Sequence, residues 1–144
     1  MKRKEMSEGA KEYDFTPREY LEHNYAASEA ESEDNIALFG WLTACFARLK
    51  PGKVLEFGGG PALYSPLCAA PHVREHVDFC DLFQSNLDEV SAWQRKAHGA
   101  FDWDACTRVI IMAEKDMEEK KKKKKKKGTV GGRPAAAAAA AAAA

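Results

Sequence analysis

The chain has 144 residues, in which 22 lysines and arginines balance 22 aspartates and glutamates, and this length allows at most one ordinary domain. The charge is unevenly divided: residues 1–119 carry all 22 acidic and 13 basic residues, a balance of −9, and residues 120–144 carry the other 9 basic residues. No apolar run approaches the ~18–20 residues that span a membrane, and residues 1–15 lack the apolar segment of a secretory signal. We therefore expect a cytoplasmic protein with no membrane partner.

The first elements in chain order are two helices. Residues 1–12 are polar, and we expect them to be disordered. Pro17 suits the first position of a helix, and Tyr20, Leu21 and Tyr25 follow it at helical spacing. A wide apolar stripe over residues 36–49 predicts a second, core-packing helix, which Pro51 and Gly52 end.

A strand and a glycine loop come next. Lys53 to Phe57 is a short apolar run that contains a β-branched valine, which predicts a buried strand. Gly58, Gly59 and Gly60 follow directly, and Pro61 is placed to open a helix over about residues 62–70. Pro66 lies inside this helix and should kink or shorten it, because proline lacks a backbone donor.

The remaining elements complete an alternating pattern. Val77 to Cys80 predicts a second strand that ends at Asp81, and Ser85 or Asn86 is placed to cap a third helix running to about His98. Arg108 to Met112 predicts a third strand. Alternation of helices and strands predicts an α/β fold, a parallel sheet with flanking helices and right-handed crossovers.

The cysteines and histidines do not predict a metal site. The four cysteines lack the C-x₂₋₄-C spacing of zinc ligands, so we interpret them as buried or half-buried free thiols. His72 and His76 are four residues apart, but Pro71 and the following strand favour a loop, so we expect ordinary surface histidines.

Three features predict a ligand site at the carboxyl end of the sheet, where open parallel sheets bind ligands. The glycines allow close backbone approach, the following helix offers unpaired amides to an anion, and Asp81 lies 21 residues after Gly60, where an acid typically bonds a ribose hydroxyl. A dinucleotide site wants a third glycine where this chain has Leu63. S-adenosylmethionine has no pyrophosphate, and its sites usually carry an acid two residues before G-x-G, here Glu56.

Four segments together resemble one protein family. They are Y-D-F-T-P-R-E-Y-L-E-H-N-Y (13–25), V-L-E-F-G-G-G-P-A-L-Y (54–64), D-L-F-Q-S-N-L (81–87) and A-F-D-W (100–103). In this order they are similar to the N-terminal part of the small-molecule methyltransferase family that includes nicotinamide N-methyltransferase, phenylethanolamine N-methyltransferase and thioether S-methyltransferase. The resemblance implies a Rossmann-like methyltransferase fold, S-adenosylmethionine as cofactor, a small-molecule amine or thioether as methyl acceptor, and a monomeric full-length enzyme.

The resemblance also implies a set of cofactor contacts. The two tyrosines of the first helix match a lid over the carboxylate end of S-adenosylmethionine, and the tyrosine of the G-P-x-x-Y motif matches another contact there. The glycines match the loop under the methionine and ribose, the aspartate matches the ribose-binding acid, and the asparagine lies beside the adenosine. These residues are Tyr20, Tyr25, Gly58, Gly59, Gly60, Tyr64, Asp81 and Asn86.

The resemblance thins after Trp103 and ends by Glu119. We therefore expect residues 13–119 to be a partial cofactor-binding domain, with the catalytic residues downstream and the fragment inactive by itself. An incomplete sheet should leave apolar surface uncovered on Trp93, Phe101, Trp103 and Ile110.

Residues 120–144 form a low-complexity tail of eight lysines, a short linker and ten alanines. We predict that it is disordered or an artefact of a poly(A) stretch read as lysine codons.

Two alternatives stay open: a fragment of a nicotinamide-dependent oxidoreductase, and a non-enzymatic protein that binds polyanions through its lysines without specificity for a nucleic acid.

Overall fold

The structure, a computed structural model, describes residues 16–130, and the side chains of residues 16–126. The predicted disordered N-terminus therefore lies outside the described residues, as does the alanine run of the tail. In chain order the elements are α1 (Pro17–Tyr25), α2 (Glu33–Leu49), β1 (Lys53–Phe57), α3 (Tyr64–Ala69), β2 (His76–Cys80), α4 (Gln84–Gln94) and α5 (Asp104–Val130).

The two predicted strands at residues 53–57 and 77–80 are confirmed, and they pair in parallel. The register sets Lys53 opposite His76 and Phe57 opposite Cys80. Gly58 N then donates to the carbonyl of Cys80 at 2.9 Å, which continues the ladder into the glycine loop. Among residues 16–130 these two strands form the sheet, so the chain has an α/β fold with helices packed beside a parallel pair.

The predicted third strand at Arg108–Met112 is wrong, because these residues lie inside α5. Val109 and Ile110 are buried, whereas Ile111 and Met112 are exposed. Together with the buried pair Ala105 and Cys106, one turn earlier, they form a helical stripe. An unbroken run of four apolar residues does not by itself distinguish a buried strand from a helix. Here the buried residues Ala105 and Cys106, one helical turn earlier, indicate the helix.

Two helices differ from their predicted bounds. α3 begins at Tyr64 rather than at residue 62, so Pro66 lies in its first turn, where no intrahelical donor is needed. Pro61 precedes α3, and a helix of only 6 residues gives no support to the predicted anion seat. α4 ends at Gln94, and neither Ser85 nor Asn86 caps it, because its N-cap position is Phe83.

The core lies where α2, α3 and α5 pack together. Phe101, Trp103 and Ile110 are buried in or beside it, so the prediction that they would lose their cover is wrong, and Trp93 is half-buried. Other large apolar side chains are exposed instead, among them Phe57 on β1 (83% exposed), Trp41 on α2 (64%) and Leu82 after β2 (88%).

The cysteines are free thiols, as predicted, and two of them are buried. Burial raises the pKa of the Cys68 and Cys106 thiols to about 11. His76 is an exposed histidine, as predicted, whereas His72 is half-buried, with its Nε2 3.2 Å from Glu114 Oε1. In the part of the chain that the structure describes, no three His, Cys, Asp or Glu side chains form a group that could hold a metal ion.

α5 is the longest element, with 27 residues. It continues without a break across residue 119, where the sequence predicts the domain to end, and it includes the whole lysine run. Within residues 16–130 neither this helix nor any other is long and apolar enough to cross a membrane.

Candidate functional site

The three positions of the loop after β1 require glycine for two different structural reasons. Gly58 and Gly60 have φ angles of +68° and +63°, a left-handed conformation that side chains rarely adopt. No atom outside their chain neighbours lies within 4 Å of where their Cβ atoms would be, so the space above the loop is open. Gly59 is different, because a Cβ there would lie 2.6 Å from Phe79 Cζ. The loop therefore rests tightly on β2 and leaves its other side free.

Asp81 ties the loop to the end of β2. The amide of Gly60 donates to its Oδ2 at 2.8 Å, and the amide of Phe83 donates to its Oδ1 at 2.9 Å. These hydrogen bonds, with that of Phe83 contributing most, hold the pKa of the Asp81 carboxyl below its usual value, so the group is ionised at neutral pH. An ionised carboxylate beside an open glycine loop can accept hydrogen bonds from the hydroxyls of a ligand.

Asn86 is buried beside this carboxylate. It lies in the first turn of α4, is 4% exposed, and donates from Nδ2 to Asp81 Oδ1 at 2.9 Å. Its own carbonyl oxygen, Oδ1, is buried and has no hydrogen-bond partner among the described residues. A buried polar atom without a partner is costly, so this oxygen fits a ligand that offers a donor.

The three predicted tyrosines also come together. The rings of Tyr25 and Tyr64 stack with their centres 5.4 Å apart, and the rings of Tyr20 and Tyr25 meet edge to face at 6.0 Å. Burial is the main cause that raises the pKa of Tyr25, and a hydrogen bond with Tyr20 adds to it. Burial likewise raises the pKa of Tyr64. Tyr25 and Tyr64 therefore remain phenols, which can donate hydrogen bonds to an anionic group.

Glu56 connects the tyrosines with the glycine loop. Its Oε2 accepts a hydrogen bond of 2.7 Å from the hydroxyl of Ser65, the residue after Tyr64. Its negative charge also contributes to the raised pKa of Tyr64. Glu56, the acid two residues before G-x-G, is thus held by the residue next to Tyr64. Pro61 to Leu63 join the glycine loop to Tyr64 along the chain.

One contact between distant helices was missed by the sequence reasoning. Arg18, on α1, binds Glu89 of α4 with Nη2 2.7 Å from Oε2, and its Nε also donates to this carboxylate. The two residues are 71 positions apart. No local pattern signals such a pairing.

The carboxylate of Asp81 bonds both the glycine loop and the buried amide of Asn86 at the carboxyl ends of the two parallel strands, and the phenols form a cluster that includes Tyr64, four residues after Gly60. The donors and acceptors of these residues match those that a nucleotide-type cofactor such as S-adenosylmethionine would need. The open space over two glycines and the unpartnered oxygen of Asn86 are the structural observations that carry this fit.

Comparison with known proteins gives the family. The model of the NNMT/PNMT/TEMT family matches residues 4–130, so the chain belongs to this family, and the predicted resemblance is confirmed. Phenylethanolamine N-methyltransferase of Rattus norvegicus is 31% identical over 106 residues, which cover 69% of this chain and 37% of the relative. Nicotinamide N-methyltransferase of Homo sapiens is 32% identical over 94 residues, or 62% of this chain and 35% of the relative. The chain thus spans little more than a third of the length of these relatives.

Proposed function

We propose that this chain binds S-adenosylmethionine as part of a methyltransferase that acts on a small-molecule amine or thioether. The observation that carries the proposal is the buried oxygen of Asn86, which lacks a partner among the described residues and lies beside the ionised Asp81. Cofactor dependence, the acceptor, and the role of each site residue are parts of this proposal.

The residues divide the binding task by their chemistry. Asp81 accepts hydrogen bonds from the ribose hydroxyls, and Asn86 accepts one from a donor of the adenosine. The tyrosine hydroxyls of α1 and α3 donate to the carboxylate at the amino-acid end, and the loop of Gly58–Gly60 lies under the ribose and methionine. When bound, the cofactor supplies an activated methyl group on its sulfonium.

Leu63 supports this cofactor over a dinucleotide. It stands where the dinucleotide pattern has its third glycine, it is 4% exposed, and its side chain belongs to the core. A third glycine in dinucleotide sites lets helix and strand pack closely. Here a leucine side chain fills that space, so the oxidoreductase alternative loses support.

The acceptor follows from the family rather than from a pocket. The similar proteins are named for phenylethanolamine and nicotinamide, and both names specify N-methylation. This supports a small nitrogen-containing acceptor, and the thioether alternative stays open. All the contacts that we assign are to the cofactor, so we expect this chain to bind the cofactor without turnover. For the full-length enzyme we propose a monomer in the cytoplasm.

Calorimetry on Asp81→Ala tests the assignment. The titrant is S-adenosylhomocysteine, the demethylated form of the cofactor. Loss of a charge-assisted hydrogen bond costs about 1–3 kcal/mol, so Kd should rise about 5- to 150-fold. Asp78→Ala is the matched control, because Asp78 lies on β2, three residues before Asp81, with its side chain 64% exposed. An unchanged Kd for Asp81→Ala, or an equal loss in both variants, would contradict the proposed site.

A further inference from the structure

The side chain of Arg18 joins α1 to a distant part of the chain through several hydrogen bonds. Its Nε lies 3.2 and 3.3 Å from the two carboxylate oxygens of Glu89, and Nη2 lies 2.7 Å from Oε2. Its other terminal nitrogen, Nη1, donates to the carbonyl of Gly99 at 2.8 Å. The guanidinium thus holds two elements at once, the helix α4 and the loop that follows it.

Glu89 and Gly99, the two partners of Arg18, are each connected to residues of the proposed site. Glu89 lies three residues after Asn86 on α4, so both side chains lie on one face of that helix. Gly99 begins the segment that reaches Trp103, whose ring packs against Tyr25 at 5.3 Å. Arg18 itself precedes Tyr20 by two residues on α1. One side chain therefore joins the tyrosine part of the site to the Asp81–Asn86 part.

We propose that Arg18 and Glu89 form a latch that holds α1, with its tyrosines, closed over the amino-acid end of the cofactor. The inference rests on the proposed function and adds a positioning pair to it. Arg18 does not touch the ligand. It acts by fixing the helix that carries Tyr20 and Tyr25.

The geometry distinguishes this pair from an ordinary surface ion pair. The side chain of Glu89 is 18% exposed and that of Arg18 is 34% exposed, and the contact uses the planar fork of arginine. Lys53 and Glu75 form the contrasting pair: their closest atoms are 3.5 Å apart, and their side chains are 60% and 56% exposed. Exposed pairs of that kind contribute little, which makes Lys53→Gln a matched control.

Two ligands separate latching from general damage. In Arg18→Gln, S-adenosylhomocysteine should bind about tenfold more weakly, the effect of losing one charge-assisted contact. Adenosine has no amino-acid end, so its Kd should not change. Arg18→Lys keeps the charge but not the planar fork, so its Kd for S-adenosylhomocysteine should lie between those of the parent chain and Arg18→Gln. Lys53→Gln should match the parent chain. Equal losses for both ligands in Arg18→Gln would overturn the latch.

Amide hydrogen exchange gives a reading that needs no ligand. In Arg18→Gln, the amides of α1 should exchange faster, while those of α2 and α5 keep the parent rates. Unchanged exchange in α1 would overturn the proposal whatever the ligands do. If the parent chain binds neither ligand, the proposed function is wrong, and the exchange of α1 alone then decides whether this pair latches the helix.

Discussion

Replacing single glycines by alanine tests how the loop after β1 is built. Two positions in this loop and one in α2 differ in the space around the added Cβ and in the backbone conformation. At Gly59 an added Cβ would lie 2.6 and 2.7 Å from two ring atoms of Phe79 and 2.9 Å from Glu56 Cγ. At Gly60 the space is open, but φ is +63°. At Gly40, inside α2, nothing lies within 4 Å, and the backbone is helical.

The expected magnitudes follow from these differences. Carbon atoms in ordinary contact are ~3.5–4.0 Å apart, so Gly59→Ala must displace the Phe79 ring and should destabilise the fold by about 1–3 kcal/mol. Gly60→Ala has room but meets backbone strain of about 1–2 kcal/mol. Gly40→Ala should stabilise the fold by about 0.5–1 kcal/mol, because alanine loses less backbone entropy in a helix.

Urea unfolding followed by far-UV circular dichroism measures all three variants against the parent chain. The predicted order of midpoints is Gly40→Ala above the parent, with the two loop variants below it. A neutral Gly59→Ala would show that the loop does not rest on Phe79 as described. A destabilising Gly40→Ala would show that α2 is packed more tightly than the open space around this glycine indicates.

Three further outcomes follow from the charges and thiols. The carboxyl of Asp81 has a lowered pKa in the folded chain, so its stabilisation is present above the unfolded value of 3.8 and is lost as pH falls through the folded value; the gap in urea midpoint between the parent and Asp81→Asn should therefore close in acid and persist at pH 7. A thiol reagent at pH 7.5 should label two cysteines quickly and spare Cys68 and Cys106, whose burial raises their pKa to about 11; rapid labelling of all four would mean that the core opens. The lysine run over residues 120–127 should bind duplex DNA non-specifically, with an affinity that falls steeply as salt rises, and binding that survives its replacement by glutamine would refute an origin in this charge.

Local signals in the sequence placed the two strands well. Val54 and Val77 each lie in a short apolar run, and glycine or aspartate ends these runs, so strand bounds could be read within one residue. The run ending at Met112 has no such boundary. Its helical character depends on Ala105 and Cys106 one turn earlier and on Asp102, whose Oδ1 accepts from the amide of Asp104 at the helix start.

In the candidate site, too, some residues could be predicted from the local sequence and others could not. Asp81 follows from its place at a strand end, whereas the roles of Tyr20 and Tyr25 entered only through the family resemblance. The latch between Arg18 and Glu89 depends on two helices that meet across 71 residues. Such a contact is set by tertiary packing, so no local pattern predicts it. The unpartnered oxygen of Asn86 likewise becomes visible only when its surroundings are known.

The central claim is that this chain holds S-adenosylmethionine at the loop of Gly58–Gly60. Its most direct test is a calorimetric titration of the 144-residue chain with S-adenosylhomocysteine and, separately, with NAD. The account predicts saturable binding of the first, with a clear preference over the second. Equal binding of both ligands, or binding of NAD alone, would contradict it.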